Sequence, residues 1–223
     1  MIPSCFRIYT CILLAGVAVT AGCGSDDSST GPEKPKRFDY SDTQAVHLTL
    51  HVDPTFLPDT ILYKTIHEDL RSIRDTFPDM NKVEHFENRP AGRITVQLTA
   101  AAAAAYEAGT YHGLDSLNNL YDTAHVIWYS QYRQMKINFA LPYHSDSIAK
   151  IYNYANGVES ALAISIGGDA SRIFVDLPYY EFQLRWGDDC ISGCSYRHIW
   201  RYEITDSSII LVEESGDTLP EGF

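Results

Sequence analysis

The chain reads as an α+β protein. Segments whose apolar residues recur at every second position alternate with segments where they recur every three or four. The C-terminal third carries only alternating, aromatic-rich runs separated by Gly-containing turns. Mixed periodicity early and strand periodicity late is the pattern of helices packed on largely antiparallel sheet.

Gln44 to Val52 alternates, with Val46, Leu48, Leu50 and Val52 on one face and His47, Thr49 and His51 on the other. That predicts a half-buried strand. On a strand, at about 3.3 Å per residue, the two histidines stand about 13 Å apart, too far to share a metal, and face solvent. From Asp59 to Phe77, Leu62, Ile66, Leu70, Ile73 and Phe77 keep helical spacing, and Pro78-Asp79 stops the helix. Lys82–Glu87 and Arg93–Thr99 read as strands around the turn Asn88 to Gly92. Thr99 caps a helix in the alanine run that follows, which Gly109 interrupts and Leu114–Tyr121 resumes.

Ala124–Tyr129 and Gln134–Ala140 are strands again. Ser145 caps a helix with Ile148, Ile151, Tyr152 and Ala155 inward, and Asn156-Gly157 supplies a left-handed stop. Val158–Ile166 returns as a strand turned by Gly167-Gly168-Asp169, and Arg172 to Glu213 is hairpin material. The first six elements have the order of a ferredoxin-like βαββαβ unit. A strand–helix–strand from Met135 to Ile166 and C-terminal β-hairpins follow, giving an antiparallel sheet with helices on one face.

The N-terminus carries a different signal. Arg7 precedes an apolar run from Ile8 to Val19, shorter than the roughly 20 residues a membrane span needs. The run ends at Thr20-Ala21-Gly22-Cys23, which resembles the lipobox of bacterial lipoproteins. The resemblance implies a signal peptide over residues 1–22 and lipidation of Cys23, with the chain held by two or three acyl chains. With Gly24 after the cysteine instead of Asp, it implies the outer membrane of a bacterial cell envelope. An ordinary secretory signal, leaving a free thiol near the new N-terminus, is the plainer alternative. Residues 23–37, rich in Ser, Gly, Pro and charge, read as a flexible tether. Residues 38–223 then form one α+β domain or a degenerate tandem over 38–130 and 131–215.

Hydrophobic residues make up 45% of the chain, enough to fold, and the formal net charge of −12 argues against nucleic acid. Of five cysteines, Cys5 and Cys11 lie in the signal and Cys23 carries lipid. Cys190 and Cys194 remain, an even pair in an oxidising compartment, and are expected to form a disulfide.

Those two cysteines sit in the loop of an amphipathic hairpin. Tyr180, Phe182, Leu184 and Trp186 share one face before them, and Tyr196, His198, Trp200, Tyr202 and Ile204 share one after them. Redox catalysis is disfavoured because Asp188 and Asp189 would raise a thiol pKa and no helix follows. Metal binding by Cys190, Cys194 and His198 is disfavoured because their four-residue spacing suits a helix and the alternation a strand. Gly187-Asp188-Asp189-Cys190-Ile191-Ser192-Gly193-Cys194, with Asn156-Gly157-Val158 upstream, resembles a group of bacterial secreted proteins and lipoproteins bearing Gly-Asp-Cys-Pro-Ser/Ala-Gly-Cys. The group has no established activity, so the resemblance implies fold and not function. The helix–Gly-Val–strand spacing is also similar to that of subtilisin-type propeptides, which are ferredoxin-like.

The sequence holds no nucleophile elbow, His-Glu-x-x-His, phosphate loop or dinucleotide fingerprint. Fifteen tyrosines and three tryptophans suit half-buried strands better than a sugar platform. No catalytic, cofactor or metal residues are nominated. The expectation is a lipid-anchored envelope protein acting as a non-catalytic binding or structural module, with the membrane and a protein as partners. The alternatives are a regulator or inhibitor of a secreted protease and an enzyme whose site the sequence does not mark. The tail from Gly216 to Phe223 reads as polar and frayed.

Overall fold

A computed structural model describes residues 38–187, 190 and 193–223. Residues 38–223 form one compact unit. The fold is α+β: two four-stranded antiparallel sheets, in the orders β2-β3-β1-β4 and β5-β6-β7-β8, with five α-helices among the described residues.

The segment expected as the first strand is a helix, α1 (Thr43–Val52). Asp42 caps it, its side chain accepting from the N–H groups of Gln44 and Ala45, and Thr49 Oγ1 donates to the Ala45 carbonyl at 2.6 Å. Ala45, Val46, Leu48, Thr49 and Leu50 are all buried, so two faces of the helix are covered and the alternation of Val46, Leu48 and Leu50 reflects that double burial. Helix α2 (Thr60–Thr76) follows the expected span, capped by Asp59 and burying Tyr63, Ile66, Leu70 and Ile73. A 3-10 turn at Pro78–Lys82 ends it. Residues 83–92 then cross to the next lobe as an extended connector; Lys82–Glu87 is not a sheet strand.

From Arg93 the chain builds a contiguous lobe: β1 (Arg93–Leu98), α3 (Ala100–Glu107), α4 (Asp115–Leu120), β2 (Thr123–Tyr129), β3 (Gln134–Phe139), α5 (Ser145–Tyr152) and β4 (Val158–Ala163). The strand–helix–strand–strand–helix–strand order therefore begins at Arg93 and not at Gln44. Residue 130 falls between β2 and β3, inside a single sheet. β1 is central, with Val96 facing Met135 on β3 and Ala161 on β4. Helices α3 and α5 cover one face, packing Ala102, Ala103, Ile148, Ala149 and Tyr152 against Ile94, Val96, Leu98, Met135 and Ile137. Thr99 caps α3 as expected. Ser145 does not cap α5: it is the first helical residue and His144 holds the cap position. Gly157, at φ +81°, turns the chain into β4, and a Cβ there would lie 2.7 Å from the Ala102 side chain.

The second lobe is discontinuous. β5 (Arg172–Asp176), β6 (Tyr179–Trp186), β7 (Tyr196–Ile204) and β8 (Ile209–Gly216) form a meander. Its inner face, Ile173, Tyr180, Phe182, Leu184, Trp200 and Tyr202, packs on α1 and α2. Tyr180 donates its hydroxyl to Asp69 on α2 at 2.6 Å, and burial holds the Asp69 carboxyl above its ordinary value. Cys190 and Cys194 are joined in a disulfide between β6 and β7, with Cα atoms 4.4 Å apart.

The C-terminal segment corrects the expectation of a frayed tail. Phe223 stacks on Trp200 with ring centroids 5.4 Å apart, and Lys82 Nζ lies 4.8 Å above the Phe223 ring. Asp217 accepts from the Arg197 N–H at 2.8 Å, tying the segment to β7. Among the described residues no helix is long and apolar enough to cross a membrane.

Candidate functional site

The two lobes meet where the chain crosses between them twice, at residues 83–92 and 164–171. A cleft opens there. One end, about 150 Å³, is lined by His47, His51, Glu87, Arg89, His144 and Asp146 among others. The other, about 200 Å³, is lined by His51, Phe86, Asn88, Arg89, Arg172 and Phe174 among others. His51, Glu87 and Arg89 belong to both ends.

Helix α1 supplies the first wall. His47 and His51 are one helical turn apart and share a face, where a strand would have set them well separated. The Ala91 N–H donates to His47 Nε2 at 3.2 Å, so that nitrogen is unprotonated and the neutral ring carries its hydrogen on Nδ1. Burial pushes His47 below the ordinary imidazole value; Glu87 opposes this, while His85 and Arg93 reinforce it.

The connector supplies the floor. The Phe86 N–H donates to the Ser171 carbonyl at 2.9 Å, and the Ile166 N–H donates to the Asn88 carbonyl at 2.8 Å, so the two crossings run side by side. His85 Nδ1 accepts from the Ile173 N–H at 3.1 Å, leaving Nε2 to face Glu87 Oε2 at 3.4 Å. The other Glu87 oxygen accepts from the Arg89 N–H at 2.7 Å. Burial alone would raise the Glu87 carboxyl. The hydrogen bonds from His85 and Arg89, with the neighbouring imidazoles, outweigh it and hold Glu87 below the usual carboxylate range.

The start of α5 closes the third side. Ser145 Oγ donates to the Pro90 carbonyl at 2.7 Å and accepts from the Arg93 N–H at 3.2 Å, pinning the helix to the connector. Arg89 pairs with Asp146 at 2.8 Å in solvent. Gly92 makes the turn beneath, at φ +65°, where a Cβ would fall 2.7 Å from the Leu141 carbonyl oxygen.

These contacts decide what the cleft is suited to. The acceptor nitrogens of His47 and His85 are occupied by backbone N–H groups, and both oxygens of Glu87 are engaged. None of the three is placed as a free general base. Two polar atoms differ. Asn88 Oδ1 and Arg172 Nε are buried with no hydrogen-bond partner among the described residues, and both side chains line the same end of the cleft. A third such atom, Arg185 Nε, belongs to a guanidinium whose terminal nitrogens already bind Asp169 and Gln183.

The residues singled out in the sequence lie elsewhere. Cys23 falls outside the described residues, as do Asp188 and Asp189. Cys190 and Cys194 are covalently paired, and the Cys190 carbonyl accepts from the Asp169 N–H at 2.6 Å, docking the loop on the crossing before β5. His198 is buried beside them in sequence but bonds the Asp217 carbonyl at 2.6 Å and Glu214 at 3.2 Å. The tryptophans are dispersed: Trp128 against Tyr106, Trp186 on Tyr196, Trp200 in the core. Among the described residues no three His, Cys, Asp or Glu side chains are grouped to hold a metal ion. The 85–89 run falls across the expected strand Lys82–Glu87 and the turn Asn88 to Gly92, where no motif marks it as a site. Its signal was present as five consecutive polar or aromatic residues, His85-Phe86-Glu87-Asn88-Arg89, before an expected strand.

No family model matches this chain, and neither the curated proteins nor the solved structures compared with it gave a match.

Proposed function

We propose that this is a bacterial envelope protein, anchored through lipid on Cys23, that works as a non-catalytic binding module with the inter-lobe cleft as its ligand site. The observation that carries the binding reading is the pair Asn88 Oδ1 and Arg172 Nε, buried and unpartnered in one cleft. A buried polar atom left without a partner costs about 1–3 kcal/mol, and a ligand that pairs both recovers it. The anchor reading rests on the lipobox-like Thr20-Ala21-Gly22-Cys23. The Cys190–Cys194 disulfide accords with an exported chain. Residues 93–163, with strand order β2-β3-β1-β4, make a ferredoxin-like unit in this reading.

Two measurements test it. Labelled palmitate should enter the full chain and be lost in Cys23→Ala; no incorporation into the wild type overturns the anchor. Native mass spectrometry of protein exposed to envelope extract should show a small-molecule adduct that Arg172→Gln abolishes. Hydrolysis of an envelope polymer by purified protein would favour an enzyme instead.

Regulation of a secreted protease is the second reading, favoured by that strand order and by the outer edge of β4, where Leu162 is 65% exposed. An exposed edge offers strand pairing to a protease cleft. Slow, tight inhibition of a subtilisin-type protease would select it.

A further inference from the structure

We infer that the cleft takes a small carboxylate-bearing molecule that also presents an N–H or O–H hydrogen, the chemistry of N-acylamino acids. This rests on the reading of the cleft as a ligand site.

The two unpartnered atoms set complementary demands. A guanidinium Nε only donates and its group stays charged, so a buried Arg172 Nε calls for an acceptor, and an anion satisfies it best. A side-chain amide oxygen only accepts, so Asn88 Oδ1 calls for a hydrogen. Water can pair with either atom but brings no charge to the guanidinium. A sulfate dianion, which carries no hydrogen, meets the first demand and not the second, whereas a carboxylate with a nearby amide N–H meets both. Arginine is the side chain whose planar fork suits a carboxylate.

The surroundings agree in shape. Arg172 and Phe174 alternate with core-facing Ile173 on β5, so both project to the side of the strand away from the core. Phe86 lines the same end and packs over Gly168, where a Cβ would meet its ring at 3.2 Å. Two aromatic rings beside two planar polar groups give an apolar wall for an acyl chain and a polar end for the acid. About 200 Å³ admits only a small molecule. The main chain at Arg172 is held by the ladder opposite Gln183 and that at Asn88 by the bond from the Ile166 N–H, so the backbone under the site is set before any ligand arrives.

The probes are N-acetylglycine, its amide N-acetylglycinamide, and inorganic sulfate, titrated into the isotope-labelled full chain and followed by NMR. N-acetylglycine should shift the Arg172 Nε–H and Asn88 side-chain signals saturably. Arg172→Lys, which keeps the charge and removes the fork, should weaken it by about tenfold or more, and Asn88→Ala by a smaller factor. Unchanged far-ultraviolet circular dichroism and melting would confirm that both variants fold. Equal binding of N-acetylglycinamide overturns the requirement for an acid. Equal binding of sulfate overturns the requirement for a hydrogen. An envelope ligand that perturbs His47 and Arg89 but not Arg172 overturns this inference while the binding reading stands. Absence of any probe or extract ligand overturns both.

Discussion

The two lobes reach their cores by different routes. Between β1 and β4 every buried apolar residue, from Ile94 to Ala161, lies in one uninterrupted stretch. In the other lobe, Ala45 to Val83 must meet Ile173 to Tyr202 across that whole stretch. The first therefore closes through shorter loops, and the second depends on contacts distant in sequence. The cleft lies where the second lobe's chain leaves and returns. Its residues are consequently drawn from α1, the first crossing, the start of α5 and β5, and no short motif contains them.

This contrast can be broken most sharply in the core. Phe182 is fully buried under α1 and α2, and Phe182→Ala should cost about 3–5 kcal/mol. Amide hydrogen exchange should then quicken throughout α1, α2 and β5–β8 while residues 93–163 keep their protection. Uniform quickening in both lobes would show that they unfold as one. The mirror variant, Ile137→Ala, should loosen both lobes, because the two halves of the discontinuous one are linked along the chain only through the contiguous one.

The disulfide belongs to the discontinuous lobe alone. Cys190→Ser should lower stability by about 2 kcal/mol, the chain-entropy value for so short a loop. Denaturant melts with and without reductant check this: the wild type should respond and the variant should not.

The pH dependence should also fall on the α1 side. His47 is held below its ordinary value, so the unfolded chain takes up a proton that the native ring resists. Stability is then full above about pH 6.5 and declines as pH falls from there through the folded value. Asp42 lies below its ordinary carboxylate value: burial raises it, but the His67 hydrogen bond and the α1 N–H groups prevail. Its contribution is present above the ordinary carboxylate value and lost as pH falls through the folded one. His47→Gln should flatten the first decline. Asp42→Ala should remove about 1 kcal/mol at neutral pH and reduce the second.

The smallest effect separates docking from surface charge. Arg89→Ala removes an exposed ion pair with Asp146 and should change stability by about 0.5 kcal/mol or less. Phe223→Ala, which strips the ring from Trp200, should cost more. Equal melting temperatures for the two would show that the last residues contribute no packing.

Legibility followed the same division. In the contiguous lobe the alternation in Arg93–Leu98 and Gln134–Phe139, the Thr99 cap and the alanine run each marked a real element. In the discontinuous lobe α2 and the Tyr180–Trp186 and Tyr196–Ile204 strands were equally plain. Helix α1 was not. Its Ala45, Leu48 and Thr49 fit a three-and-four period while Val46, Leu48 and Leu50 fit a two period, and burial on two faces makes both true. The Asp42 cap was the discriminating signal, a short polar side chain before Thr43. The polar tail misled in the same way: Leu219 and Phe223 find a surface only because α2, the turn at Pro78 and β7 converge there.

Sequence by itself determined the elements whose apolar period is unambiguous and the capacity of Cys190 and Cys194 to pair across a turn, because both depend on neighbours a few residues apart. Tertiary structure decided the state of α1, the split of one domain into a contiguous and an interrupted lobe, and the meeting of Asn88 with Arg172. Those outcomes depend on which surfaces are buried against which, and burial is a property of the assembled chain, not of any local stretch.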